Sequence, residues 1–184
     1  MAPRSTVDIA SRLRSDAGVA IAELFAYLSA LYFRGKLAYA RTFAKAPADA
    51  GSGVLVITAD RGLMPAETTV GLETLRQFAS ADISLDNARY CEPLERSARA
   101  LTATIGEDGE VVLLGSIASE KYVRVLSGVF GTRLIFPAAF VGRGDMSRGG
   151  LLLRAAAAGA ELEYIPVIGA VRRGTRPPKL GRRT

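Results

Sequence analysis

The sequence has no histidine and a single cysteine, Cys91, in 184 residues. The first absence excludes the Ser-His-Asp triad, the usual imidazole general base and any His-containing metal site. The second excludes an intramolecular disulfide and a zinc cluster. The Walker A spacing is missing, as is any internal repeat. The most apolar stretch, 19–33, contains Glu23 and is too short to span a bilayer. No secretory signal is evident, so the chain is expected in the cytoplasm and away from the membrane. Chemistry in such a chain rests on carboxylates, hydroxyls, lysine, arginine, backbone N–H groups and water; no cofactor or metal motif is present, and a carboxylate-bound Mg²⁺ is the one metal left open.

What is present suits one domain. The chain is 49% hydrophobic and 23% charged, enough apolar material for a substantial core. The formal charge of +6 is unevenly placed. Arg172, Arg173, Arg176, Lys179, Arg182 and Arg183 crowd the last 14 residues with no acid between them, which leaves 18 basic against 18 acidic residues in the rest. With Gly174, Pro177, Pro178 and Gly181 among them, residues 171–184 read as a basic, disordered tail. Such a tail is a solvated extension or a phosphate-binding arm.

Periodicity gives the remaining organisation. Residues 5–46 read as a helical segment, broken near Gly18 and separated by Gly35 from a helix over 36–45. Leu24, Phe25, Leu28, Leu31 and Tyr32 form an apolar stripe there, so 19–33 is packed in the core or forms a homodimer contact. From 53 to 168, short apolar runs alternate with helical stretches. Strands are expected at 54–58, 110–114, 133–136 and 161–165, with helices over 72–78, 90–105, 119–129 and 151–158. That alternation predicts an α/β fold: three α/β/α layers around a four-stranded, mainly parallel sheet, with the helical segment at the N-terminus. Ligands bind such sheets at the carboxyl ends of the strands.

Three loops would meet at that edge. Asp60 and Arg61 follow the first strand, where an Asp can activate water and an Arg can hold an anion, although the pair also fits a local turn. Glu67 is a weaker second carboxylate. Gly115 and Ser116 follow the second strand, with Lys121 and Tyr122 in the next helix, and can cradle a phosphate or simply pack a tight strand-to-helix turn. The loop after Phe136 is the richest, with Gly142, Arg143, Gly144, Asp145, Ser147, Arg148, Gly149 and Gly150. Arg143 and Arg148 are candidates for an anion, Ser147 for a donor and Asp145 for chemistry. Capping of the next helix and an Arg143–Asp145 ion pair are the structural alternatives. Tyr32, Phe33, Tyr39, Tyr122, Phe136 and Phe140 are available for stacking, but their spacings fit a core. Cys91 reads as structural.

The order of these motifs resembles the uracil-DNA glycosylase-like superfamily. The segment 54–65, Val-Leu-Val-Ile-Thr-Ala-Asp-Arg-Gly-Leu-Met-Pro, is similar to its first strand and catalytic loop. The segment 111–122 is similar to its apolar strand ending in Gly-Ser before a helix, and the Pro137 loop with Ser147 to its DNA-gripping loop. Small uncharacterised bacterial α/β proteins share a comparable layout. Arg61-Gly62 stands where the superfamily usually has Pro-Tyr. The resemblance implies a water-activating role for Asp60. Together with the residue types it predicts an enzyme acting on a nucleoside, nucleotide or nucleic-acid base by N-glycosidic hydrolysis or glycosyl transfer. Asp60 or Asp145 would be catalytic, and Arg61, Gly115, Ser116, Lys121, Arg143, Ser147 and Arg148 would bind substrate. A non-catalytic nucleic-acid-binding module and a subunit-interaction protein are the competing expectations.

Overall fold

The computed structural model describes residues 6–171, 174, 175, 177 and 178. The basic tail residues named above therefore lie outside the described residues.

The N-terminal part is helical, as expected, but divided differently. Helix α1 (Thr6–Leu13) buries Ile9 and Leu13, one turn apart. A two-residue strand β1 (Val19–Ala20) leads into α2 (Ile21–Leu28), which buries Ile21, Ala22 and Leu24. Helix α3 (Ala30–Phe43) then runs straight through Gly35. The break falls at Ser29 instead. Leu24 is only 1% exposed and Leu28 54%, so Leu28 but not Leu24 is open to a second copy.

The expected four-stranded, mainly parallel sheet does not form. Strand β2 (Leu55–Ile57) turns straight back into β3 (Leu63–Pro65) as an antiparallel hairpin. The loop chemistry explains the reversal: Thr58 donates both its N–H and its hydroxyl to the Gly62 carbonyl, at 2.9 and 2.8 Å. Gly62 itself holds a positive φ of 69°. Strand β4 (Thr69–Val70) pairs antiparallel with β1. Helices α4 (Leu72–Ser80) and α5 (Ala88–Ile105) follow, and Asn87 caps α5 by accepting from the Arg89 N–H at 3.1 Å.

The last sheet has three strands in the order β5 (Val111–Val112), β6 (Leu134–Pro137), β7 (Tyr164–Pro166). β5 and β6 are parallel across α6 (Glu120–Phe130). β7 runs antiparallel to β6, with the Ala138 N–H donating to the Glu163 carbonyl at 3.0 Å beside the Pro137↔Tyr164 pair. Apolar runs this short fit parallel and antiparallel neighbours equally well, so the expected direction had no residue to fix it.

The final helix, α7, spans Asp145–Ala158, six residues earlier than expected. Much of the glycine-rich loop is therefore its first turns. α7 lies on α3, and a pair of glycines sets how closely. A Cβ on Gly35 would sit 2.6 Å from the Gly149 carbonyl oxygen, and one on Gly149 would sit 2.8 Å from the Tyr32 Cα. Gly149 thus serves helix packing, and the crossing brings Tyr32 and Lys36 of α3 beside Asp145 and Arg148 of α7.

The interior divides into two clusters. One gathers α5, α6, α7 and the three-stranded sheet around Leu94, Val123, Leu134, Phe136 and Leu152. The other gathers α1, α2, the β1–β4 pair and α4 around Leu24, Val56, Val70 and Phe78. Among the described residues no helix is long and apolar enough to cross a membrane.

Candidate functional site

A cleft of about 1130 Å³ separates the two clusters. Its walls are mostly apolar, with Leu37 of α3, Ile57 of β2, Phe78 of α4, Tyr90 of α5 and Leu113 after β5 all contributing. Strands β2 and β5 both line it, and each pairs with a different partner. One end of the cleft is polar, lined by Lys36, Gly115, Lys121 and Tyr122.

Two tyrosines pin that end in place. The Tyr32 hydroxyl donates to the Leu114 carbonyl at 3.1 Å, and the Tyr122 hydroxyl donates to the Ser116 carbonyl at 2.7 Å. The loop after β5 therefore has carbonyl groups held from α3 and from α6. Gly115 is required by this packing: a Cβ there would meet the Tyr122 hydroxyl at 2.8 Å. Burial raises the pKa of both phenols above the usual tyrosine value, so both remain protonated donors.

Arg148 is 8% exposed. Its Nε and Nη2 both donate to the Phe140 carbonyl at 3.3 Å, and its Nη1 donates to Asp145 Oδ1 at 3.4 Å. Its guanidinium also lies over the Phe140 ring, 5.5 Å from the centroid. This arginine is spent on ordering the start of α7 and aiming Asp145. The ion pair in this region is thus Arg148–Asp145 rather than Arg143–Asp145. Asp145 opens α7 without capping it, because the N-cap is Gly144 and no side chain bonds there. Arg143 is likewise engaged: it donates to the Ala139 carbonyl at 2.9 Å, the Ser147 hydroxyl at 3.3 Å and the Pro178 carbonyl at 3.4 Å. Ser147 accordingly serves as the acceptor for Arg143.

Lys36 is different. Its ammonium lies 4.1 Å from the centroid of the Tyr32 ring. No hydrogen bond or ion pair to another described residue engages it. Burial brings its pKa down to about 8, Arg148 pushes the same way, and Asp145 opposes them. Lys121, exposed on the first turn of α6, is also unengaged by described residues, and the α6 N-cap Ser119 makes no side-chain capping bond. Free N–H groups and a lysine thus meet at one place.

Asp60 and Arg61 lie elsewhere. Asp60 lines a second concavity of about 680 Å³ with Gln77, Asp82, Asp86, Asn87 and Arg89. Its Oδ1 is buried without a hydrogen-bond partner, 3.7 Å from Arg61 Nε. Arg61 donates to Gln77 and lies over Phe78. Thr58 and Ala59 of the loop after β2 line the large cleft together with Leu114 and Gly115 after β5, but Asp60 and Arg61 do not, and no residue of the loop after β6 is in that lining. Glu67 pairs with Arg41 at 3.6 Å and accepts from Ser52 at 3.1 Å, and the Cys91 thiol donates to the Ser84 and Leu85 carbonyls. Neither reaches the cleft lining. Among the described residues no group of three or more carboxylates or cysteines is arranged to hold a metal ion.

Of the residues that sequence reasoning brought into consideration, Gly115 and Lys121 line the cleft, whereas Ser116, Asp145 and Arg148 lie outside its lining, the last two within electrostatic reach of Lys36. Lys36 was missed, because it reads as an ordinary solvated lysine on a helix. A compositional signal was available. Lysine occurs only at positions 36, 45, 121 and 179, while the other 20 basic residues are arginine. Lys36, Lys45 and Lys121 all line the cleft, and no described arginine does.

No family model, curated protein or solved structure matches the chain. The glycosylase resemblance therefore rests on its three short segments.

Proposed function

We propose that the chain is an enzyme acting on a nucleoside or nucleotide, and that it cleaves or exchanges an N-glycosidic bond at the polar end of the cleft. The observation that carries this reading is the combination of an apolar slot, the unengaged Lys36 and Lys121 on its wall, and Asp145, which lies outside the lining but within electrostatic reach of Lys36 and is held by Arg148. A flat heterocycle suits the slot, because its faces are apolar and partly buried aromatics such as Phe33 and Phe43 line the wall. A phosphate suits Lys121 and the uncapped start of α6. The sugar would then lie near Asp145, whose negative charge stabilises the oxocarbenium ion that forms as the C–N bond breaks.

The roles of the candidate residues change accordingly. Lys121 is the substrate-binding cation. Arg148 positions Asp145, Gly115 and Ser116 shape the rim, and Arg143 and Ser147 hold the loop. Asp60 and Arg61 are given no part in this reading, because neither lines the cleft: Asp60 lines the other concavity and Arg61 is engaged by Gln77.

A thermal-shift panel of nucleosides and their 5′-monophosphates tests the binding half of this reading. At least one monophosphate is expected to stabilise the protein more than its nucleoside does, and Lys121→Ala is expected to remove that difference. If no member of the panel raises the Tm, or if Lys121→Ala responds like the wild type, the reading fails.

A further inference from the structure

Every amine recorded on the cleft wall belongs to lysine, in a chain that otherwise uses arginine five times as often. The choice has a chemical consequence. A guanidinium stays charged at any physiological pH, whereas a lysine can lose its proton and present a lone pair. Of the three, Lys45 is 85% exposed and lies 3.7 Å from a Glu161 oxygen, and Lys121 is exposed on α6. Lys36 alone is drawn into the wall. Its Nζ lies against the Tyr32 ring, no carboxylate among the described residues is within ion-pairing distance of it, and it reaches a cavity large enough for a metabolite.

We infer that Lys36 is a nucleophilic amine that forms an imine with an aldehyde or ketone bound in the cleft, with the anionic end of that compound at Lys121. This rests on the cleft and its lysines and not on the identity of the substrate proposed above. The free amine of Lys36 adds to the carbonyl carbon, forming a C–N bond while the carbonyl pair moves to oxygen. The nitrogen loses both of its protons to solvent, and the oxygen gains two from solvent and leaves as water as the C=N bond closes. The sum is amine plus carbonyl giving imine plus water, so no oxidant, reductant or further co-reactant is needed.

The surroundings favour this chemistry. With its pKa at about 8, Lys36 holds on the order of 10²-fold more free amine near neutral pH than an ordinary lysine does. The groups around it are Tyr32 on its own helix, Asp145 and Arg148 on α7, and Tyr122 and Lys121 of α6 at the same end of the cavity. The phenols stay protonated, and the free pair of Lys36 becomes available as the pH rises through about 8.

Pyridoxal 5′-phosphate is a suitable probe, as it carries an aldehyde, a flat ring and a phosphate. The full-length protein is incubated with it across pH 6 to 10, reduced with borohydride, digested and mapped by mass spectrometry. The reduced adduct is expected on Lys36 with at least tenfold preference over Lys45, with a rate that rises through a midpoint near 8. Lys36→Arg is expected to lose this adduct, and Lys45→Arg to keep it. Equal labelling of Lys36 and Lys45, or an unchanged total yield in Lys36→Arg, would overturn the inference. The site map of the wild type decides the matter even where the Lys36 variant folds poorly. Trapping at Lys36 without response to any nucleotide would retain the reactive amine and remove the glycosidic reading; the reverse result would do the opposite.

Discussion

At the residue scale the molecule turns on how few of its cations are free. Arg61, Arg143 and Arg148 looked equivalent as anion ligands, yet each is engaged by its own neighbourhood. A sequence lists charges but not which of them are already satisfied. Lys36 is the converse case, an unremarkable helix residue made distinctive by where α7 lies. Its burial has a measurable consequence for stability. The folded-state pKa, about 8, lies below the ordinary value of 10.5. The unfolded chain therefore binds more protons between these two values, and the contribution of Lys36 to stability rises with pH across that window. Below pH 8 the full penalty of a charged, half-buried ammonium applies. Lys36→Met is expected to stabilise the protein at pH 7, by on the order of 1 kcal/mol. The gain should shrink as the pH approaches 10, as urea unfolding of both proteins at the two pH values will show.

At the scale of elements, the legible parts were those with a long repeat. The stripe Tyr90, Leu94, Ala98 marks α5, and Val123, Leu126, Phe130 marks α6, because burial on one face imposes its period on the sequence. Strands of two to four residues carry no such period. Their existence was readable, but their partners and directions were not. The hairpin after β2 is set by one threonine and one glycine, and β7 is reversed by its register with β6. Glycines misled in the same way. Gly35 suggests a break and Gly149 a ligand loop, whereas each is there because the other helix is close. Gly149→Val is accordingly expected to destabilise the protein by about 2 kcal/mol or more in urea unfolding, since the collision is with backbone and the helices must part. The same variant should slow imine trapping at Lys36, because Tyr32 and Asp145 would separate.

At the scale of the whole molecule, the two apolar clusters and the cleft between them replace the continuous sheet that the alternating pattern suggested. The expectation that a site lies at strand ends kept part of its value, for Thr58 and Ala59 after β2 and Leu114 and Gly115 after β5 line one cleft. It failed for Asp60, Arg61 and the start of α7, which lie outside that lining. The physical reason is that apolar runs specify burial and not the partner that provides it. The reading advanced for the cleft is catalytic, with Asp145 as the carboxylate and Arg148 as its support. Chromatographic detection of free base released from a panel of nucleosides and 5′-monophosphates tests this most directly. The wild type is expected to release base from at least one of them, and Asp145→Asn, which retains an acceptor for Arg148, to lower the rate by roughly 10²-fold or more. Absence of release by the wild type, or equal release by Asp145→Asn, would contradict the account.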